Sequence, residues 1–133
     1  MKYMLDTNIC IYLIKRKPFQ VLEKFQAHTL GDICVSSITV AELQYGVEKS
    51  QHQHQNQTAL NLFLAPLEIV NFDTYAAQHY GQIRTALERL GTPIGAYDLL
   101  IAGHAQSLDI ILVTNNTREF TRVPNLRVEN WIT

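Results

Sequence analysis

Near its start the chain reads Tyr3-Met4-Leu5-Asp6-Thr7-Asn8, and Ile9-Cys10-Ile11-Tyr12-Leu13-Ile14 follows without a break. Apolar residues lead straight into a carboxylate, and the apolar run then resumes. This predicts a short buried strand ending at Asp6 and a helix starting within a residue or two of it. In open α/β sheets, ligands bind in the crevice outside the carboxyl ends of the strands. An Asp at such an end, beside the N–H groups of a helix start, is in a functional position by geometry. Asp and Asn are also preferred helix N-caps, so Asp6 or Asn8 taken alone could serve only the helix. What changes the weight of Asp6 is that the pattern recurs twice.

Working outward, Lys15-Arg16-Lys17-Pro18 is a short basic turn, and Phe19 to His28 has helical spacing, with Gly31 ending it. Asp32 to Ser36 is a second strand, followed by a helix from Ser37 to about Lys49 that carries Glu42. Gln51 to Gln57 is a polar tract. Its His52 and His54 are better explained as solvated surface than as metal ligands. Thr58 to Leu67 is helical in period and Glu68 to Phe72 is a third strand. Asp73 caps a long helix stopped by Gly91-Thr92-Pro93, and Ile94 to Ala105 is an apolar helix with Asp98 near its start. Asp109 to Thr114 is a fourth strand, and Leu126 to Trp131 a weak fifth. Strands alternate with helices and no hairpin dipeptide appears, which predicts βαβ units. The expected fold is one three-layer α/β/α domain over residues 1–133, with a central parallel sheet of four to five strands.

Composition narrows the classes. Hydrophobic residues at 47% and charged residues at 17% are an ordinary globular balance. A formal net charge of −1 gives no bulk electrostatic argument for nucleic acid or an anionic membrane. No apolar run approaches the ~20 residues of a membrane span, and the N-terminus lacks a signal pattern. Cys10 and Cys34 lie in apolar segments and are expected to be small buried hydrophobes in a reducing, cytoplasmic compartment.

Asp6, Glu42 and Asp98 each sit in an otherwise apolar segment, at or soon after a helix start. Each has a plain structural explanation: Thr39-Val40-Ala41-Glu42 has the form of a capping box, and Asp98 favours a helix dipole. Capping explains them singly but not why they share the strand-end side. Carboxylates gathered there need a cation or a raised pKa. Oxygen-only ligands suit hard ions such as Mg²⁺, which supports phosphodiester hydrolysis. No P-loop, GxSxG or HExxH motif is present. His104 is expected to be a packed helix histidine.

Four motifs, MLDTN at Met4–Asn8, SSITVAEL at Ser36–Leu43, PIGAYDLLIAGHA at Pro93–Ala105 and LVTNNTREF at Leu112–Phe120, together resemble the VapC toxins. These are PIN-domain ribonucleases of type II toxin–antitoxin pairs, and the resemblance spans essentially the whole chain. It is nearest to enterobacterial members that cut initiator tRNA in its anticodon stem-loop. The resemblance implies a Mg²⁺-dependent endoribonuclease, with Mn²⁺ as a substitute, built on Asp6, Glu42 and Asp98. Asp6 and Asp98 would bind the metal, Thr7 and Thr114 would give polar support, and Asn8 would orient the site. Many relatives carry a fourth Asp where this chain has Asn116, and Glu119 is the candidate to replace it. A VapB-like antitoxin, a homodimer, a hetero-oligomer with that antitoxin and DNA contact only through it are further implications. Lys15, Arg16, Lys17, Arg84, Arg118 and Arg122 would supply phosphate contacts. Two rivals are a receiver-like phosphoacceptor module and a non-catalytic antitoxin-binding partner. The first wants adjacent acids after the first strand and a late lysine; Asp6 has no acidic neighbour and Thr114 precedes Asn115-Asn116. Intact acids argue against the second.

Overall fold

The computed structural model describes residues 1–132. Its strands are β1 (Tyr3–Leu5), β2 (Ile33–Ser36), β3 (Glu68–Val70), β4 (Ile111–Val113) and β5 (Val128–Glu129). Its α-helices are α1 (Thr7–Lys15), α2 (Phe19–Gln26), α3 (Ser37–Glu48), α4 (Gln53–Leu64), α5 (Thr74–Arg89), α6 (Ala96–Ser107) and α7 (Thr117–Phe120). All strand pairs are parallel and the order is β3-β2-β1-β4-β5, so the opening strand is the centre of the sheet.

Side-chain alternation explains the three layers. Met4 lies in register with Cys34 on one side and Leu112 on the other. These three pack with Ile83 and Leu87 of α5 and with Leu99, Ile101 and Ala105 of α6. The next row, Leu5 with Val35 and Val113, faces the opposite layer, against Ile9 and Leu13 of α1, Val21 of α2, Leu43 of α3 and Leu60 of α4. Both faces are covered, as parallel sheets require, which is why the strands read as continuous apolar runs. Cys10 and Cys34 are buried and unpaired. Among the described residues no helix is long and apolar enough to cross a membrane.

Element borders shift where tertiary contacts outweigh periodicity. α2 ends at Gln26 rather than His28, because the His28 ring stacks on Trp131 at 4.7 Å and meets the edge of Tyr3. α4 begins at Gln53, five residues before the apolar period, so the polar tract forms its first turn and a half. Gln57 there exchanges hydrogen bonds with Gln44 of α3, while His52 and His54 stay exposed.

Candidate active site at the carboxyl edge of the sheet

The chain moves outward from β1 through β2 to β3, then returns to the other flank of β1 with β4 and β5. The carboxyl ends of β1 and β4 therefore flank the topological switch point, where crevices of doubly wound sheets open. Asp6 follows β1 and Thr114 follows β4, and the Asp6 N–H donates to the Val113 carbonyl at 3.0 Å, tying the two ends together.

Asp6 is only 3% exposed. Its Oδ1 accepts the Ile9 N–H at 2.9 Å, so it does cap α1, and the Asn8 N–H and the Thr114 hydroxyl also donate to it. Burial pushes this carboxyl from an ordinary 3.8 up to about 6; those hydrogen bonds oppose the rise and the charge of Glu42 adds to it. The Asn8 side chain is exposed at the rim, and its contribution to Asp6 comes from the backbone. Thr114 is buried and accepts the Asn116 N–H at 2.9 Å, shaping the turn after β4.

Glu42 corrects one expectation. The N-cap of α3 is Ser36, whose Oγ accepts the Ile38 N–H at 3.0 Å, so Thr39 lies inside the first turn and Thr39–Glu42 is not a capping box. Both residues instead meet Thr7, whose hydroxyl lies 2.7 Å from Glu42 Oε1 and 3.3 Å from Thr39 Oγ1. The buried Thr39 hydroxyl is thus a site contact that the sequence motif disguised as a cap.

Asp98 sits in the first turn of α6, whose N-cap is the side-chain-free Gly95. Its carboxyl is raised from 3.8 to about 7, first by burial, then by a hydrogen bond to Glu119 and by the charges of Glu119, Asp6 and Glu42. Asp98 therefore feels all three other acids, and Asp6 feels Glu42 as well. Glu119 does not pair with Arg122, which turns to the Pro93 carbonyl at 3.2 Å. Asn116 Nδ2 donates to Glu119 Oε2 at 3.1 Å, so the amide orients the carboxylate. Asn115, which no sequence motif marks as a site residue, donates Nδ2 to the Tyr12 hydroxyl at 3.0 Å.

The donor set fits a hard divalent cation. It is all oxygen, and burial together with the neighbouring acids raises the Asp98 carboxyl to about 7, a crowding of negative charge that a cation would relieve. As the side chains stand, no three Asp, Glu, His or Cys among the described residues converge on one point. Mg²⁺ does not demand that, since it binds through one or two carboxylates and completes its shell with water and phosphate oxygens. His104 plays no part: it is fully buried, its Nδ1 lies 2.8 Å from Ser36 Oγ, and burial lowers its pKa.

Of the six expected cations, Arg16 and Lys17 lie just beyond the nine-residue α1, roughly 13 Å from the Asp6 end, whereas Lys15 lines a cleft that also reaches Glu42. Arg84 is engaged by Glu88 and the Tyr80 hydroxyl. Arg118 directly precedes Glu119 on α7.

Fold and site together define a doubly wound α/β/α domain with an acidic crevice at its switch point. The PIN domain model matches residues 3–126, and the chain belongs to that family, within its VapC group. It is 50% identical over 131 residues to the tRNA(fMet)-specific endonuclease VapC of Salmonella typhimurium, covering 98% of each chain. The structure of DNA-bound VapBC from Salmonella typhimurium superposes with a TM-score of 0.93 at 50% identity, covering 98% of each chain. VapBC2 from Rickettsia felis, bound to a promoter DNA fragment, gives 0.91 at 48% identity, covering 98% of this chain and 99% of that one.

Proposed function

We propose that this protein is the toxin of a type II toxin–antitoxin pair, a Mg²⁺-dependent endoribonuclease that cleaves initiator tRNA in its anticodon stem-loop. The observation carrying this reading is the cluster of carboxylates around Asp98 at the switch point, with Asp98 raised to about 7 and Asp6 to about 6. Such a cluster stores a demand for positive charge, which a divalent ion would meet. Asp6 and Asp98 would hold the ion, with Glu42 and Glu119 completing the negative field. A bound Mg²⁺ supplies polarisation of a phosphoryl oxygen and a hydroxide at neutral pH. Thr7 keeps Glu42 aimed at the crevice, Thr114 fixes Asp6 and Asn116 fixes Glu119. The likeness to a relative named for tRNA(fMet) supports the substrate, and the VapBC complexes support an antitoxin partner that carries the DNA contact. Homodimerisation and a cytoplasmic site of action belong to the same reading. Incubation with total tRNA in Mg²⁺ or in EDTA tests it. Mg²⁺-dependent cutting that maps to one stem-loop supports the proposal, and intact tRNA in both conditions contradicts it.

A further inference from the structure

A groove of about 510 Å³ runs from Thr7 and Glu42 along α3 and is walled by Tyr45, Lys49 and Tyr97. Tyr45 follows Glu42 by one helical turn and Tyr97 directly precedes Asp98, so the groove adjoins the acidic cluster and shares Glu42 with it. Both are well exposed, Tyr45 at 66% and Tyr97 at 56%, and neither is held in the core. Lys49 Nζ lies 4.8 Å from the centroid of the Tyr45 ring. Gly46 lines the same groove and borders open space, since a Cβ there would meet nothing within 4 Å.

We propose that Tyr45 and Tyr97 are positioning residues that stack unpaired bases on either side of the scissile phosphodiester, with Lys49 contacting a neighbouring phosphate. This rests on the ribonuclease reading. A strand of RNA drawn towards four carboxylates meets repulsion, and a chain of net charge −1 supplies little bulk attraction to offset it. Stacking on an aromatic ring is indifferent to that charge. Every base has a π-face, and only bases free of a duplex can offer it, so the groove selects loops over helices. Lys49, lying over one face of the Tyr45 ring, leaves the other face to a base and contributes one phosphate contact.

The test uses the full-length protein in EDTA with short single-stranded RNAs carrying one 2-aminopurine stepped along the strand. Binding to the wild type is expected to quench the probe at two positions. Tyr45→Ala and Tyr97→Ala should each lose one of these signals and weaken binding roughly tenfold, while Tyr45→Phe and Tyr97→Phe restore both. Lys49→Gln should flatten the slope of log affinity against log salt by about 0.7, the share of one phosphate on a single strand. In Mg²⁺ the alanine variants should raise KM more than they lower kcat. Both rings are exposed, so unchanged melting is the folding control. If the alanine variants quench, bind and cut like a wild type that cuts RNA, the stacking proposal is overturned and the ribonuclease reading stands. If they lose only self-association or a protein partner, the groove is a protein interface and the proposal is again overturned. A wild type that neither binds nor cuts any RNA overturns both.

Discussion

At the scale of single residues, Asp6 caps α1 while buried beside other acids, and those two roles conflict at neutral pH. Its folded pKa of about 6 lies above the ordinary 3.8, so the folded metal-free protein holds a proton that the unfolded chain has released between those values. The associated stability is fully present below about pH 4 and is lost as pH rises through 6, a loss of about 3 kcal/mol at most. Asn is an equally good cap and carries no charge. Asp6→Asn is therefore expected to be more stable than the wild type by up to about 3 kcal/mol at pH 8 in EDTA, with the gap closing towards pH 5. Denaturant melts at both pH values check this, and a variant weaker than the wild type at pH 8 contradicts it. Glu119 is the second residue with a decidable role. A carboxylate about 4 Å from another charge interacts by roughly 4 kcal/mol at an effective dielectric of 20, before desolvation. Glu119→Gln should therefore raise the Mg²⁺ needed for half-maximal cleavage, Asn116→Asp should lower it, and Asn116→Ala should cost less than Glu119→Gln. A Glu119→Gln titration that overlays the wild type would reduce the cluster to three acids. Asp6, Glu42 and Asp98 were legible in the sequence because each interrupts an apolar segment near a strand end. The Thr7–Thr39–Glu42 contacts were not, because Thr-x-x-Glu has the same spacing in a capping box and inside a helix. Only the true N-cap, Ser36, separates the two.

At the scale of elements, the site depends on how α5 and α6 meet, since α6 carries Asp98. A Cβ on Gly103 would fall 2.8 Å from the Tyr80 backbone nitrogen and 2.9 Å from its Cα, atoms that cannot give way without parting the helices. Gly103→Ala should destabilise the fold by roughly 1–3 kcal/mol, as overpacking does. Gly81 on α5 offers the contrast, because a Cβ there meets nothing within 4 Å. Gly81→Ala should stabilise by about 0.5–1 kcal/mol, the difference in helix propensity. Urea midpoints moving in opposite directions support the packing described, and two shifts of the same sign contradict it. Strand and helix order were readable from the sequence because a parallel sheet buries whole strands and makes them apolar runs. Borders were not, because they rest on contacts such as His28 on Trp131 and Gln57 on Gln44 that no local period encodes.

At the scale of the whole molecule, an apolar cleft of about 240 Å³ between α1, α3 and α4 is lined by Ile11, Ile14, Leu43, Val47 and Leu60 and reaches Glu42. An antitoxin segment lying there is expected to bring an Arg to the acids, whose oxygens suit a bidentate guanidinium. A structure of the complex with the partner wholly away from Asp6, Glu42 and Asp98 contradicts that arrangement. Neither this cleft nor the tyrosine groove was visible in the sequence, since both join residues from separate helices. The weak net charge, by contrast, was plain from composition, and it shifts the burden of RNA binding onto local features. The central claim remains that the acidic crevice is the cutting centre, and Asp98→Asn tests it most directly. The change keeps the shape of the side chain and removes the charge proposed to bind the ion. Melting temperature and cleavage of a tRNA pool in Mg²⁺ should be measured side by side. A folded variant that leaves the tRNA intact is the predicted result; a folded variant that cuts like the wild type contradicts the account.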